Sequence, residues 1–298
     1  MPSLLIVTAD DFGLHPAVNE AVEQAHRGGI LTAASLMVSA PAALDAVRRA
    51  RELPTLRVGL HLVLADGLAT LEPSLIRGLA DGAGYMDGDM FTRGVRYFAV
   101  PSVRRQLEAE IDAQFAAFAR TGLELDHVNV HKHFHLHPSI LTLLLHIGRA
   151  YGVGAVRVPD EPVWFAMSSA GVAAGVSSVL IQPWVSLVKR RLRRAGLFFN
   201  DHVFGIAASG VMNEETLLKI IARLPGGVTE IYLHPAATSG AISASMSDYR
   251  HADELAALMS PRVRAALGQA GVECGGFSDL PRADSTRTRT RARTPPIR

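Results

Sequence analysis

The 298-residue sequence predicts an α/β protein built as a distorted (β/α) barrel, its general architecture resting on three observations. Short β-branched runs alternate with helical stretches along the chain, the pattern of βα units that build a parallel sheet. Seven such runs occur, enough for a barrel that is incomplete or distorted. The polar residues best suited to chemistry cluster at the C-terminal ends of those runs, the rim on which barrel enzymes assemble their sites.

The first strand, Leu4–Thr8, runs directly into Asp10 and Asp11. A helix follows over Pro16–Arg27, with proline near its start and Gly28-Gly29 closing it. Leu31–Val38 forms the second strand, Ala42–Glu52 a helix, and Arg57–Leu62 the third strand, which holds His61. The helix Val103–Arg120 leads to the strand His127–His131, and the helix Ser139–Tyr151 to the strand Ala155–Val158. Val203–Ile206, the helix Glu214–Arg223, the strand Thr229–Leu233 with His234 at its end, and the helix Asp253–Gln269 complete the order. No internal repeat is visible, and residues 1–280 are expected to form one barrel domain.

Two stretches stand outside this pattern. From Pro162 to Val188 there is no charged residue, and Lys189-Arg190-Arg191-Leu192-Arg193-Arg194 follows at once. Length alone would nominate a membrane span, but Ser, Gly and Ala are frequent, Pro183 interrupts the run, and strands flank it. An apolar insertion or flap around residues 162–195 is therefore expected. It is either a buried helix with a loop, or a segment whose basic end rests on anionic headgroups. Residues 281–298 form a basic tail: Arg282 to Arg298 carries six Arg and one Asp, against a net charge of +2 for the whole chain. Such a composition cannot bury enough apolar surface to fold, so a solvated disordered end is expected, with binding of anionic lipid or nucleic acid as the weaker alternative and no nucleic-acid partner assigned.

Hydrophobic residues make up 48% of the chain and charged residues 19%, a globular balance with ample core material. Cys274 is the only cysteine, which excludes an internal disulfide and a thiolate metal site. Any metal must be bound by His and carboxylates. The N-terminal segment reads as a strand instead of a signal sequence, and the expected location is cytoplasmic, with peripheral contact at the inner membrane face as an option.

Asp10 and Asp11 are adjacent carboxylates at a strand end, pointing in different directions, so one can bind a cation while the other faces a substrate. Taken alone, such a pair more often caps a helix. His61 lies within the apolar run Val58–Leu64, where a lone imidazole is usually a hydrogen-bonded core residue. The segment Asp126–Pro138 holds five of the twelve histidines, at 127, 131, 133, 135 and 137. An extended segment would place the last four on one face, whereas a turn after His131 would scatter them. Two neutral imidazoles with one carboxylate suit Zn²⁺, Co²⁺, Mn²⁺ or Fe²⁺ and leave positions for water and substrate. Asp10 and His234 fit the roles of base and acid beside such an ion.

Together, Thr8-Ala9-Asp10-Asp11-Phe12-Gly13, Ser35-Leu36-Met37, Gly59-Leu60-His61-Leu62 and the His131 cluster resemble the YdjC-like carbohydrate deacetylases, related to chitooligosaccharide deacetylase. The resemblance implies a distorted (β/α) barrel of the polysaccharide-deacetylase-like type, one divalent metal ion (Zn²⁺ first, Mg²⁺, Mn²⁺ or Co²⁺ as options), and removal of acetyl from N-acetylglucosamine-type sugars. By motif it implies that Asp11, His61 and His131 bind the metal and that Asp10 is the general base. His234, in Glu230–Pro235, resembles the late His-Pro motif of a general acid, and Arg157 would orient Asp10 or the substrate. Many relatives read Asp-Ser-His-His-His where this chain has Asn129-Val130-His131-Lys132-His133. That departure would weaken support for His131 unless Asp126 supplies it.

Three further stretches, His131–Pro138, Asn200–Gly205 and Tyr249–Leu255, are similar to the hopanoid-biosynthesis-associated branch. That similarity implies a lipid-linked amino sugar as substrate, with soluble chitooligosaccharide as the alternative. Two rival readings use the same residues. One is an iron oxygenase with Asp11, His61 and His131 as its facial triad; the other is a non-catalytic sugar- or glycolipid-binding protein.

Overall fold

A computed structural model describes residues 2–280; the predicted tail, 281–298, lies outside the described residues. Its centre is a parallel sheet ordered β6-β3-β2-β1-β8-β7, formed by β1 (Pro2–Phe12), β2 (Ala33–Leu36), β3 (Arg57–Leu62), β6 (Val128–Val130), β7 (His202–Phe204) and β8 (Gly227–Leu233). A separate antiparallel pair, β4 (Gly67–Leu68) and β5 (Tyr85–Met86), was not foreseen from the sequence.

The predicted strand at 155–158 joins the two edges of this sheet. Val128 pairs in parallel with Val156, and Ala155 with Phe198, just ahead of β7. Asn200 continues the seam with its side chain, accepting from Val158 N–H and donating to Val158 C=O, both at 2.7 Å. The curled sheet thus becomes a distorted barrel.

Alternation along β1 explains both layers. Leu5, Val7 and Ala9 face outward, into the large core shared with Val22 and Ala25 of α1 (Pro16–Gly28). Leu4 and Ile6 point the other way, into a small cluster with Ala33, Ala155, Phe277 and Leu280 that fills the bottom of the bore. Thr8 and Asp10 continue this inward row but are polar, so the bore changes from apolar to charged near its C-terminal rim. There Thr8 Oγ1–H donates to Glu230 at 2.7 Å.

The remaining predicted helices are α2 (Ala43–Arg51), α4 (Pro101–Arg120), α5 (Pro138–Gly148) and α8 (Glu214–Ile221). An additional α3 (Met90–Ala99) precedes α4. The single helix expected over Asp253–Gln269 is instead two, α9 (His251–Met259) and α10 (Pro261–Ala270). Pro261 forces the break: Ser260 before it is extended, and its hydroxyl accepts the N–H groups of Arg262 and Val263. The uncharged stretch forms α6 (Val163–Ala170) and α7 (Val172–Arg194). Both are helical; Phe165, Ala166, Val185, Val188 and Leu192 are buried, whereas Met167, Val172, Val176, Val179 and Leu180 are exposed.

Candidate metal and active site

The backbone at the end of β1 separates the two adjacent aspartates. Pairing between β1 and β2 shifts register between Ala9 and Phe12, and Asp11 sits at φ 61°, in the left-handed region. Such a position costs about 1–3 kcal/mol for a residue with a side chain and clusters at functional sites. It turns Asp11 onto the rim while Asp10 stays in the bore.

Asp11, His61 and His131 converge there, with one donor atom from each inside a 4.8 Å sphere of mutual distances. Asp11 Oδ1 lies 3.3 Å from His61 Nε2 and 3.4 Å from His131 Nδ1, and those two nitrogens are 3.2 Å apart. All three side chains are buried, and neither oxygen of Asp11 has a hydrogen-bond partner among the described residues. A buried carboxylate without donors, facing two imidazole nitrogens, fits a cation: the group it needs is positive and sits between the three.

A chain of buried hydrogen bonds fixes which nitrogen of His61 faces the cluster. Asn129 Nδ2 donates to Asp10 Oδ1 at 3.0 Å and to Ser35 Oγ at 2.9 Å, so its Oδ1 can only accept. His61 Nδ1–H donates to that oxygen at 2.7 Å, which leaves Nε2 with a free lone pair. Ser35 Oγ–H donates to His127 Nε2 at 3.0 Å, and His127 Nδ1–H donates to Asp126 at 2.8 Å. Asp126 also accepts from Phe277 and Ser278 N–H, and it does not support His131. The expected substitution by Asp126 is therefore corrected: the carboxylate nearest the outer nitrogen of His131 is Asp66, at 4.0 Å. Lys132 Nζ at 2.7 Å and Tyr85 O–H at 2.6 Å hold Asp66 in turn. Burial opposes a charged imidazole, yet Asp11 and Asp66 outweigh it and lift His131 to about 9.

Arg157 is fully buried, at 0% exposure, and donates to both oxygens of Asp10, at 2.5 and 2.9 Å. Its remaining N–H groups bind Glu230 at 2.8 and 2.9 Å. The guanidinium is thus sealed in the bore between Asp10 and Glu230 and is not among the residues that line the cavity. Burial pushes the Asp10 pKa up, but Arg157 and His61 overcome it and hold the carboxyl well below the ordinary range. Asp11 shows the same balance, burial being outweighed by His131 and His61.

His234, at the end of β8, lies with Nε2 3.9 Å from Asp11 Oδ2. Its backbone N–H donates to Glu254 at 2.5 Å and its carbonyl accepts from His251 Nδ1 at 2.6 Å, so the main chain is pinned while the ring faces the cavity. Burial, only partly offset by Asp11 and Asp10, lowers its pKa.

Lys132 and His133 adopt φ of 54° and 55°, and the turn they make scatters the histidine tract. His131 joins the cluster, His133 Nε2 meets the Tyr232 hydroxyl at 3.1 Å, and His135 is buried. Asp10, His61, His131, His133, Tyr232 and His234 line one cavity of about 190 Å³. Across His131 and Met246 lies a more apolar one of about 270 Å³, walled by Leu14, Met37, Val63 and Leu68.

Residues 4–269 match the family described as YdjC-like protein. A carbohydrate deacetylase of Geobacillus stearothermophilus is 30% identical over 277 residues, covering 92% of this chain and 96% of that protein. The chitooligosaccharide deacetylase of Salmonella dublin is 28% identical over 94% of this chain and 100% of its own length. A solved structure from Enterococcus faecalis V583, described as a candidate cellobiose-phosphate cleavage protein, superimposes with a TM-score of 0.73. It shares 24% identity and covers 94% of this chain and 99% of that one, which shows a common fold.

Proposed function

The chain belongs to the YdjC-like protein family, and on that premise we propose that it is a metal-dependent hydrolase removing the N-acetyl group from an N-acetylglucosamine-type sugar. The observation that carries this reading is that Asp10 and His234 line the same cavity as His61 and His131, the two imidazoles that converge with Asp11. A binding protein has no need of an ionised carboxylate and an unpaired imidazole beside a cation site.

Asp11, His61 and His131 would hold one divalent ion, Zn²⁺ best matching a carboxylate and two imidazoles, of which His131 would give up its proton as the ion binds. Such an ion would acidify water and polarise the amide carbonyl. Asp10, kept ionised and aimed by Arg157 and Asn129, accepts the proton that water gives up as it adds to that carbonyl. His234, once it has taken up a proton against the burial that lowers its pKa, delivers that proton to the sugar nitrogen as the C–N bond breaks, giving acetate and a free amine. Residues 1–280 act as one catalytic domain in this reading, in a cytoplasmic protein.

The acceptor we propose is a hopanoid lipid carrying the amino sugar. The uncharged, partly exposed stretch from Pro162 to Val188, which covers α6 and most of α7, favours it. Soluble chitooligosaccharide is the second reading, favoured by the Salmonella dublin relative. Acetate release from chitobiose and from an N-acetylglucosaminyl hopanoid separates the two. Asp10→Asn should abolish release from either while metal content stays at about one ion per chain; retained turnover would overturn the assignment of the base. Turnover that consumes O₂ and yields no acetate would instead support the iron-oxygenase reading.

A further inference from the structure

The hairpin of α6 and α7 is rooted beside the cavity and bare on its outer side. Glu161, just before α6, accepts N–H groups from Gly205, Ile206 and Ala207 at 2.8–3.0 Å, and Ile206 is part of the cavity wall. Ser178 of α7 donates to the Glu161 carbonyl at 2.9 Å, and Trp184 Nε1–H to the Leu136 carbonyl at 2.7 Å. Val185, Val188 and Leu192 are buried in the main core, so one face of α7 is fixed to the barrel. A helix anchored in this way is not surrounded by lipid.

The opposite face carries Val172, Val176, Val179, Leu180 and Pro183, spaced as a single helical stripe. Val172 is 69% and Leu180 74% exposed, and Met167 of α6 extends the apolar area. Two turns past Pro183, on the same side, come the exposed Arg190 and then Arg194. Of their basic neighbours, Lys189 pairs with Asp160 at 2.5 Å, Arg191 donates to Thr142 at 2.9 Å, and the exposed Arg193 lies over the Phe199 ring. No Asp or Glu occurs between residues 162 and 195, so a second copy of this face would offer the arginines no counter-charge.

We propose that the α6–α7 hairpin docks on an anionic lipid surface, its aliphatic stripe entering the headgroup boundary and Arg190 and Arg194 meeting lipid phosphates. An aliphatic stripe ending in exposed cations on one helical face is the pattern of interfacial membrane helices. Docking there brings the cavity, through Glu161 and the 205–207 loop, next to the membrane. The biological use of this contact rests on the lipid-linked reading of the substrate, but the contact itself does not require catalysis.

Co-sedimentation of the full chain with phosphatidylglycerol/phosphatidylcholine vesicles tests it, with pure phosphatidylcholine vesicles in parallel. Wild type should bind the anionic vesicles and do so about tenfold more weakly on neutral ones. The combined Val176→Ser, Val179→Ser, Leu180→Gln variant and the Arg190→Ser, Arg194→Ser variant should each lose about tenfold in binding. Both should keep their melting temperature and their acetate release from soluble chitobiose. Absence of wild-type binding overturns the proposal. So does binding that survives both variants and is lost only when residues 281–298 are removed, or a concentration-dependent dimer that the apolar variant dissolves while vesicle binding persists. Vesicle binding by a protein that releases no acetate would leave the docking in place and remove the deacetylase reading; acetate release without binding would do the reverse.

Discussion

Arg157 grips both carboxylate oxygens of Asp10, Nη1 to Oδ2 at 2.5 Å and Nη2 to Oδ1 at 2.9 Å, while its other edge binds Glu230. One guanidinium therefore satisfies two buried acids, and its planar fork sets the direction in which Asp10 points. Arg157→Met leaves both acids uncompensated in the bore and should destabilise the protein by about 3–5 kcal/mol in urea denaturation. Arg157→Lys keeps the charge without the fork. It should lower kcat by about 100-fold through misplacement of Asp10. KM should change little, because Arg157 does not touch substrate. A KM effect as large as the kcat effect would show that Arg157 reaches the sugar after all.

The strands and the rim residues were legible because each carries a local signal: a β-branched run, then a polar residue at its end. Asp10, Asp11, His61 and His234 all declare themselves in this way. Asn129, Asp66 and Glu230 do not, since their roles are set by partners far away in sequence. Asn129 joins Asp10 across 119 positions and His61 across 68. Nor could sequence alone decide the histidine tract, where two left-handed residues, Lys132 and His133, convert a possible strand into a turn. The exposure of α7 was hidden for a similar reason: a helix apolar on one side and short of charge on the other has no clear outward face until its neighbours are known.

Asn129 should control metal affinity although it is not among the expected ligands. Its Oδ1 holds His61 Nδ1–H at 2.7 Å, so Asn129→Leu frees the ring to rotate and change tautomer. Loss of such a partner typically costs about 10–100-fold in metal affinity. Zn²⁺ titration of the chelator-treated protein, read as a rise in melting temperature, should show a strong response for wild type and a weakened one for Asn129→Leu. His61→Ala and Asp11→Asn should show no response. A full Zn²⁺ response in Asp11→Asn would remove Asp11 from the ligand set.

His135 makes stability depend on pH. Burial pushes this imidazole down to about 4, compared with 6.5 for an exposed one. Between those values the unfolded chain takes up a proton that the folded protein refuses, so stability falls as pH falls through this window. The loss attributable to His135 between about pH 7.5 and about pH 5 is about 2 kcal/mol. His135→Phe, which keeps an aromatic ring without a titrating nitrogen, should flatten the curve by that amount. Urea midpoints at the two pH values measure it. An unchanged difference would mean that His135 takes up a proton in the folded state.

Gly59 tests whether the buried relay is held by packing as well as by hydrogen bonds. It lies two residues before His61 on β3, and a Cβ at this position would collide with the ring of His127. His127 cannot retreat freely, because Ser35 holds one nitrogen at 3.0 Å and Asp126 the other at 2.8 Å. Gly59→Ala should therefore cost about 1–3 kcal/mol, typical of overpacking in a tight core. The strain should also reach His61 through Ser35 and Asn129 and weaken the Zn²⁺ response. Shrinking the obstacle gives the decisive comparison. His127→Ala alone should destabilise, since it leaves Asp126 and Ser35 without their partner, but once His127 is gone Gly59→Ala has nothing to strike. The double variant should be more stable than the sum of the two single losses predicts, by roughly the 1–3 kcal/mol assigned to the clash. Simple additivity would place the cost of Gly59→Ala in the β3 backbone instead of against His127.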